Sequence, residues 1–166
     1  MTRRLRQVEL GFASSAPGRL VFSAGLAAPP AAVYRSLAEE VGSWPAWFTA
    51  VASARPTDGG TGRTVRLRGG ISFRETVMAA EPDTRYAYRV DETNAPGVRA
   101  MLEEWVLSPV GRGTRVRWTM AVDGPAAYLF AMRLARPGVG WSFRDAMRRL
   151  DRRLIPARNP SPGSGR

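Results

Sequence analysis

Two glutamates lie among apolar residues where their carboxyl groups could do acid–base work. Glu75 shares the period-two face of Ile71, Phe73 and Val77, and Glu103 shares that of Met101, Trp105 and Leu107. An unbroken strand alternation therefore turns both toward the same apolar interior, and turns Glu104 and Arg74 to solvent. A carboxyl group withdrawn from water keeps its proton to higher pH, which is how a glutamate becomes a general acid or base near neutrality. The same positions also suit the mouth of a cavity or an ion pair with an arginine, and a β-bulge would exchange the two faces.

Much other chemistry is excluded by inventory. The 166 residues contain no cysteine and no histidine, which removes thiolate metal sites, cysteine nucleophiles, Ser-His pairs and the commonest zinc ligand. No metal and no cofactor is expected. Gly69-Gly70 and Gly111-Arg112-Gly113 are too short to cradle a phosphate and read as turns. The formal charge is +11, carried by 25 basic residues that are all arginine. Arg66, Arg68, Arg74, Arg89, Arg115 and Arg117 alternate with apolar residues, as on the outer face of a half-buried sheet. The aromatic interleaving of single-strand binders is missing, so no nucleic-acid partner is expected.

The elements that would position the glutamates follow from periodicity. Leu20, Phe22, Ala24 and Leu26 share one face of a first strand ending at Ala28-Pro29-Pro30, where proline suits the first turn of a helix running roughly to Glu40. Val41 to Phe48 reads as a second short helix, with Ser43 as its cap and Pro45 in its first turn. Six antiparallel strands follow from Val51, with turns at Asp58-Gly59-Gly60, Gly69-Gly70, Glu81-Pro82-Asp83 and Gly111-Arg112-Gly113. Phe143, Met147, Leu150 and Leu154 mark a C-terminal amphipathic helix. Ala126 to Ala135 is also helix-like, but Pro137-Gly138 is expected to bend or interrupt it. Residues 1–18 read as a mobile extension, 19–156 as one domain, and 157–166 as a disordered tail. The longest apolar run, Ala126 to Met132, is too short to span a bilayer, and the start lacks a signal-peptide core, so the expected location is cytoplasmic.

Leu26-Ala-Ala-Pro-Pro-Ala-Ala-Val33, Trp44-Pro-Ala-Trp47, Trp105-Val-Leu107 and Gly113-Thr-Arg-Val-Arg-Trp118, in this order of elements, resemble the START-like or Bet v 1-like superfamily. The branch they look most like is that of the bacterial polyketide cyclase/dehydrase and lipid-transport proteins. The resemblance implies an α+β helix-grip fold, in which a curved antiparallel sheet of about seven strands and two short helices close around a long C-terminal helix and leave a cavity. It also implies a small hydrophobic ligand, such as a polyketide, an aromatic or a lipid-like molecule.

Within that frame Glu75 and Glu103 are the candidate catalytic pair. In a cyclase or dehydratase one would remove an α-proton while the other protonates a departing hydroxyl. Phe73, Tyr86, Tyr88, Met101, Trp105, Trp118, Met120, Phe130 and Met147 are the candidate ligand-binding residues, the two tyrosine hydroxyls serving as polar handles. Core packing would explain each singly. Trp44 and Trp47 read as scaffold, locking the short helices to the sheet. Tyr128 to Met132 reads as a gate or as an ordinary helix start. The alternative function is a lipid or quinone carrier making transient membrane contact. Both a monomer and a homodimer are compatible with the sequence.

Overall fold

A computed structural model describes residues 1–155. Its sheet is antiparallel throughout, in the order β2-β8-β7-β6-β5-β4-β3. The strands are β2 (Gly18–Leu26), β3 (Val51–Thr57), β4 (Gly62–Leu67), β5 (Ser72–Glu81), β6 (Arg85–Thr93), β7 (Ala100–Val110) and β8 (Gly113–Asp123), and a two-residue β1 (Arg3–Arg4) pairs with β6. The short helices are α1 (Phe12–Ser15), α2 (Pro30–Tyr34), which continues into a π-turn over Arg35–Glu39, and α3 (Trp44–Trp47). The long helix α4 (Ala126–Leu154) closes the concave face. The curved sheet of about seven strands gripping a C-terminal helix is the expected architecture.

The core forms where the apolar faces meet. Leu26, Val65, Tyr88, Trp105, Val116 and Trp118 of the sheet pack against Phe143, Ala146, Met147 and Leu150 of α4, while Val33, Leu37, Trp44, Trp47 and Phe48 close the end formed by the short helices. Aromatic stacking ties these layers together, with Trp105 over Trp118 at 5.2 Å and Trp118 over Phe143 at 5.7 Å between centroids. Gly140 is required where α4 crosses β2, because a Cβ there would come within 2.8 Å of the Phe22 ring.

Several expectations are corrected. The chain of α4 does not break at Pro137-Gly138; the helix is continuous from Ala126 to Leu154. Arg133 to Gly138 is exposed throughout, so the Arg133 carbonyl that loses its partner at proline is solvated rather than stranded. Ser43 precedes α3 but its side chain makes no capping bond. Residues 1–18, expected as a mobile extension, are packed on the sheet. Leu5 and Val8 are buried, Leu5 N–H donates to the Asp91 carbonyl at 2.8 Å, and Arg6 pairs with Asp123 at 2.8 Å. The apolar pair Leu5/Val8 and the cap that α1 places over Ala100 and Leu102 explain why the segment docks. This segment also covers Glu104, which faces outward as expected but is 9% exposed and paired with Arg85. The tail expected over 157–166 lies outside the described residues.

Candidate functional site

A cavity of about 190 Å³ lies between the concave face of the sheet and α4. Phe48, Val65, Phe73, Met101, Trp118 and Met120 make most of its wall, and Val139 and Ser142 enter from α4. Its volume is near the ~150 Å³ that holds a benzene and below the ~300–1,000 Å³ of sites for drug-sized molecules. One or two rings, or the end of a chain, match it. A larger hollow of about 430 Å³ on the opposite side of the sheet is lined by Arg55, Thr64, Arg66 and Arg74; lying on the outer, solvated face, it offers no dry environment for chemistry.

Besides Ser142 on α4, four polar side chains of the sheet interrupt the apolar cavity lining: Arg63, Glu75, Tyr88 and Glu103. Strand register brings them together. Arg63 is opposite Glu75 across β4 and β5, and Tyr88 is opposite Glu103 across β6 and β7. The sheet is irregular beside Glu75, since Arg74 pairs with Glu92 and Glu75 with Val90. The extra residue, Asp91, is therefore on β6, and β5 keeps its alternation through Val77. Glu75 stays on the Phe73 face for that reason.

The cluster is dry. Arg63 is 1% and Glu75 4% exposed, and Arg63 Nε donates to Glu75 Oε2. The guanidinium carbon lies 3.5 Å from the Tyr88 ring centroid and 4.3 Å from that of Trp44, so aromatic faces take the place of water around the cation. Tyr88 Oη donates to Glu103 Oε2 at 2.6 Å, and Trp118 Nε1 donates to the same oxygen at 3.0 Å. Trp105 Nε1 in turn donates to Tyr88 Oη at 3.0 Å, fixing the phenol. Both donors to Glu103 occupy Oε2, so Oε1 is the oxygen left for a ligand or a proton.

One guanidinium serves two buried carboxyl groups, and their proton affinities reflect it. Burial pushes Glu75 up to about 7 against the pull of Arg63, with Glu103 adding an upward push. Burial also raises Glu103, against the Tyr88 hydrogen bond and Arg63. Desolvation lowers Arg63, but Glu75 and the two tyrosines outweigh it and hold the cation firmly protonated. Burial raises Tyr88 as well, so its hydroxyl stays a neutral donor. The arrangement combines a fixed positive charge with one carboxyl group poised near neutral pH and a second whose proton affinity burial raises, next to an apolar void.

Of the residues singled out from the sequence, Glu75, Glu103, Phe73, Tyr88, Met101, Trp118 and Met120 meet at this cavity. Trp105 lies behind Tyr88 and is fully buried, while Tyr86 and Met147 are packed in the core. Phe130 is not a cavity residue: it is 60% exposed on the outer side of α4, because the continuous helix turns it away from the sheet. Sequence reasoning missed the wall residues Phe48, Val65, Val139 and Ser142 and, with more consequence for the chemistry, Arg63 and Trp44. Arg63 has the parity of Val65 and Leu67, which would have placed it inward had its charge not suggested solvent. Trp44, read as scaffold, both packs the short helix and lines the cavity over Arg63.

Fold and cavity together define a helix-grip protein, of the class that encloses a small hydrophobic molecule between sheet and helix. Residues 19–154 match the family model described as polyketide cyclase / dehydrase and lipid transport; the chain belongs to that family. It is 34% identical over 153 residues to an uncharacterised protein of Mycobacterium tuberculosis and to one of Mycobacterium bovis, covering 88% of this chain and 90% of each relative. Solved structures share the fold at lower identity. A di-domain ARO/CYC from the BE-7585A biosynthetic pathway has a TM-score of 0.69 at 17% identity, over 80% of this chain and 46% of that one. Ginseng major latex-like protein 151 from Panax ginseng has a TM-score of 0.66 at 13% identity, over 84% of this chain and 98% of that one. A START superfamily protein from Mycobacterium smegmatis has a TM-score of 0.63 at 11% identity, over 82% of this chain and 96% of that one. Among the described residues no helix is long and apolar enough to cross a membrane.

Proposed function

We propose that the protein binds a small hydrophobic molecule of one or two rings in the cavity, seated against Phe73, Met101, Trp118 and Met120, with an oxygen of the ligand facing the Arg63–Glu75–Glu103–Tyr88 cluster. One observation carries the reading: four satisfied or partly satisfied polar groups of the sheet are gathered in one cluster at a void whose remaining lining, apart from Ser142, is apolar or aromatic. Burying such groups costs stability, which a purely packed core would avoid with apolar residues. Cyclase or dehydratase chemistry extends the same reading. Glu103, protonated on Oε1, would donate to a carbonyl or departing hydroxyl, and Glu75 would exchange a proton once displaced from Arg63. Native mass spectrometry of freshly purified protein tests binding: a stoichiometric small-molecule adduct is expected, and its absence together with failure to take up 2-methylnaphthalene would refute it.

A carrier role at membranes is the second reading, and a different observation favours it. Phe130, Leu134 and Trp141 are exposed on one stripe of α4, and Ala126 to Arg144 carries three arginines and no acidic residue. Co-sedimentation with phosphatidylglycerol vesicles at low salt, compared with phosphatidylcholine vesicles, separates this role from binding in solution.

A further inference from the structure

Arg63 is more completely buried than any other charged residue among those described, yet only one of its donors reaches an acceptor. Nε binds Glu75 Oε2. Nη1 is buried without an acceptor in the protein; no hydrogen bond from Nη2 is present among the described residues, although the Tyr86 hydroxyl lies near enough to Arg63 for a hydrogen bond between them to pull the tyrosine's pKa down. Glu75 occupies one edge of the guanidinium, and Tyr88 and Trp44 lie close enough to engage its π-system. The edge formed by the two amino groups is left, on a residue that lines the cavity. A guanidinium presents that edge as two parallel N–H donors, a geometry that matches the two oxygens of a carboxylate rather than the single oxygen of a ketone or alcohol. An unpaired buried donor is costly, so an acceptor there gains more than it would at a surface arginine.

We infer that the ligand of this cavity is an apolar carboxylic acid, bound with its carboxylate on the two amino groups of Arg63 and its apolar body against Trp118, Met120 and Phe73. This rests on the reading of the cavity as a hydrophobic-ligand site and names the ligand's polar group. Charge balance decides how the site admits it. With Arg63 charged, Glu75 ionised above pH 7 and burial favouring the protonated form of Glu103, a further anion leaves a net buried negative charge unless a proton enters with it. Glu75, poised at about 7, is the group that takes it up. The groups facing Glu75 are Arg63 on β4, Tyr86, Tyr88 and Asp91 on β6, and Glu103 on β7. The short helix and α4 face the cavity with Trp44, Val139 and Ser142, which do not titrate.

Isothermal titration with three probes of one shape tests this: 2-naphthoate, 2-naphthamide and 2-methylnaphthalene. At pH 6.5 the acid is expected to bind at least tenfold more tightly than the amide and the hydrocarbon. Its affinity should fall by about tenfold per pH unit above pH 7, as one-proton uptake requires, while that of 2-methylnaphthalene stays flat. The double variant Arg63→Met/Glu75→Gln, which removes both charges of the pair, should bring the ratio of acid to 2-methylnaphthalene affinity down to about one; its fold is checked by circular dichroism. Binding of 2-methylnaphthalene with no preference for the acid in the unaltered protein overturns the inference and leaves the hydrophobic-site reading standing. Equal preference in the double variant overturns it too. Failure of all three probes overturns both.

Discussion

Tyr88 and Glu103 face each other across β6 and β7 and share a 2.6 Å hydrogen bond in which the phenol donates to Oε2. Because Trp105 holds the same phenol oxygen and Trp118 holds the same carboxylate oxygen, two strands and two indoles fix the orientation of one carboxyl group. That fixation leaves Oε1 in a constant position beside the cavity, as either a binding or an acid role requires.

Tyr88→Phe removes a donor to Glu103 and an acceptor for Trp105 together. A loss of about 1–3 kcal/mol is expected from the stranded buried groups, read by urea denaturation. The pKa of Glu103 should rise further, since the hydrogen bond that holds it down is gone; carboxyl carbon chemical shifts across a pH titration report it.

Burial raises both Glu75 and Glu103, so each makes stability fall as pH rises through its folded-state value, and Glu75 defines the window. The folded-state value of about 7 for Glu75 lies above the ordinary glutamate value of 4.5, so between those values the native chain binds more protons than the unfolded one, and stability falls as pH rises through that window. The contribution is fully present below about pH 4.5 and exhausted above about pH 7, with a total of the order of 3 kcal/mol. Glu75→Gln should flatten this slope between pH 4.5 and 7 while still accepting from Arg63. A wild-type midpoint that rises over the same range would contradict the assignment.

The position of both glutamates was legible because strand alternation survives where it matters. On β5 it holds from Phe73 to Val77, the added residue being Asp91 on the neighbouring strand. Arg63 was illegible for an energetic reason: period two placed it inward beside Val65, but a buried cation needs an opposite carboxylate and flanking aromatic rings, here from three other segments, which only the tertiary fold supplies. The same limit applies to the amino-terminal segment. Leu5 and Val8 lie among arginines, and nothing local shows that Val98, Met101 and Val122 would receive the one and Ala100 and Leu102 the other. Continuity of α4 through Pro137 depended on solvent reaching the Arg133 carbonyl, a property of burial and not of composition.

Leu5→Ala tests whether the amino-terminal segment contributes to the fold. Leu5 is 8% exposed against Val98, Met101 and Val122, and its truncation should cost about 2 kcal/mol. A change within ~0.5 kcal/mol, the usual range for a surface substitution, would show that the segment adds nothing.

The carrier reading predicts that Phe130→Ser/Leu134→Ser/Trp141→Ser lowers binding to phosphatidylglycerol vesicles by at least tenfold with little change in melting temperature. These side chains are 60%, 67% and 60% exposed, so they contribute little to the core. Unchanged vesicle binding in the triple variant would remove α4 as the contact surface.

For the two-carboxyl chemistry, Glu103→Gln or Glu75→Gln should leave the protein folded and abolish turnover of a small molecule recovered from the cavity. Normal turnover in both variants would end that account.

The central claim, that the ligand enters the void between Trp118 and α4, is open to one direct reading. The five tryptophans divide by place: Trp44 and Trp118 line the cavity, Trp47 and Trp105 are buried in the core, and Trp141 is exposed on α4. In a proton–nitrogen spectrum of the indole N–H groups titrated with 2-methylnaphthalene, saturable shifts are predicted at Trp118 and Trp44 with Trp141 unmoved. Shifts confined to Trp141, or none at all, would contradict an internal site.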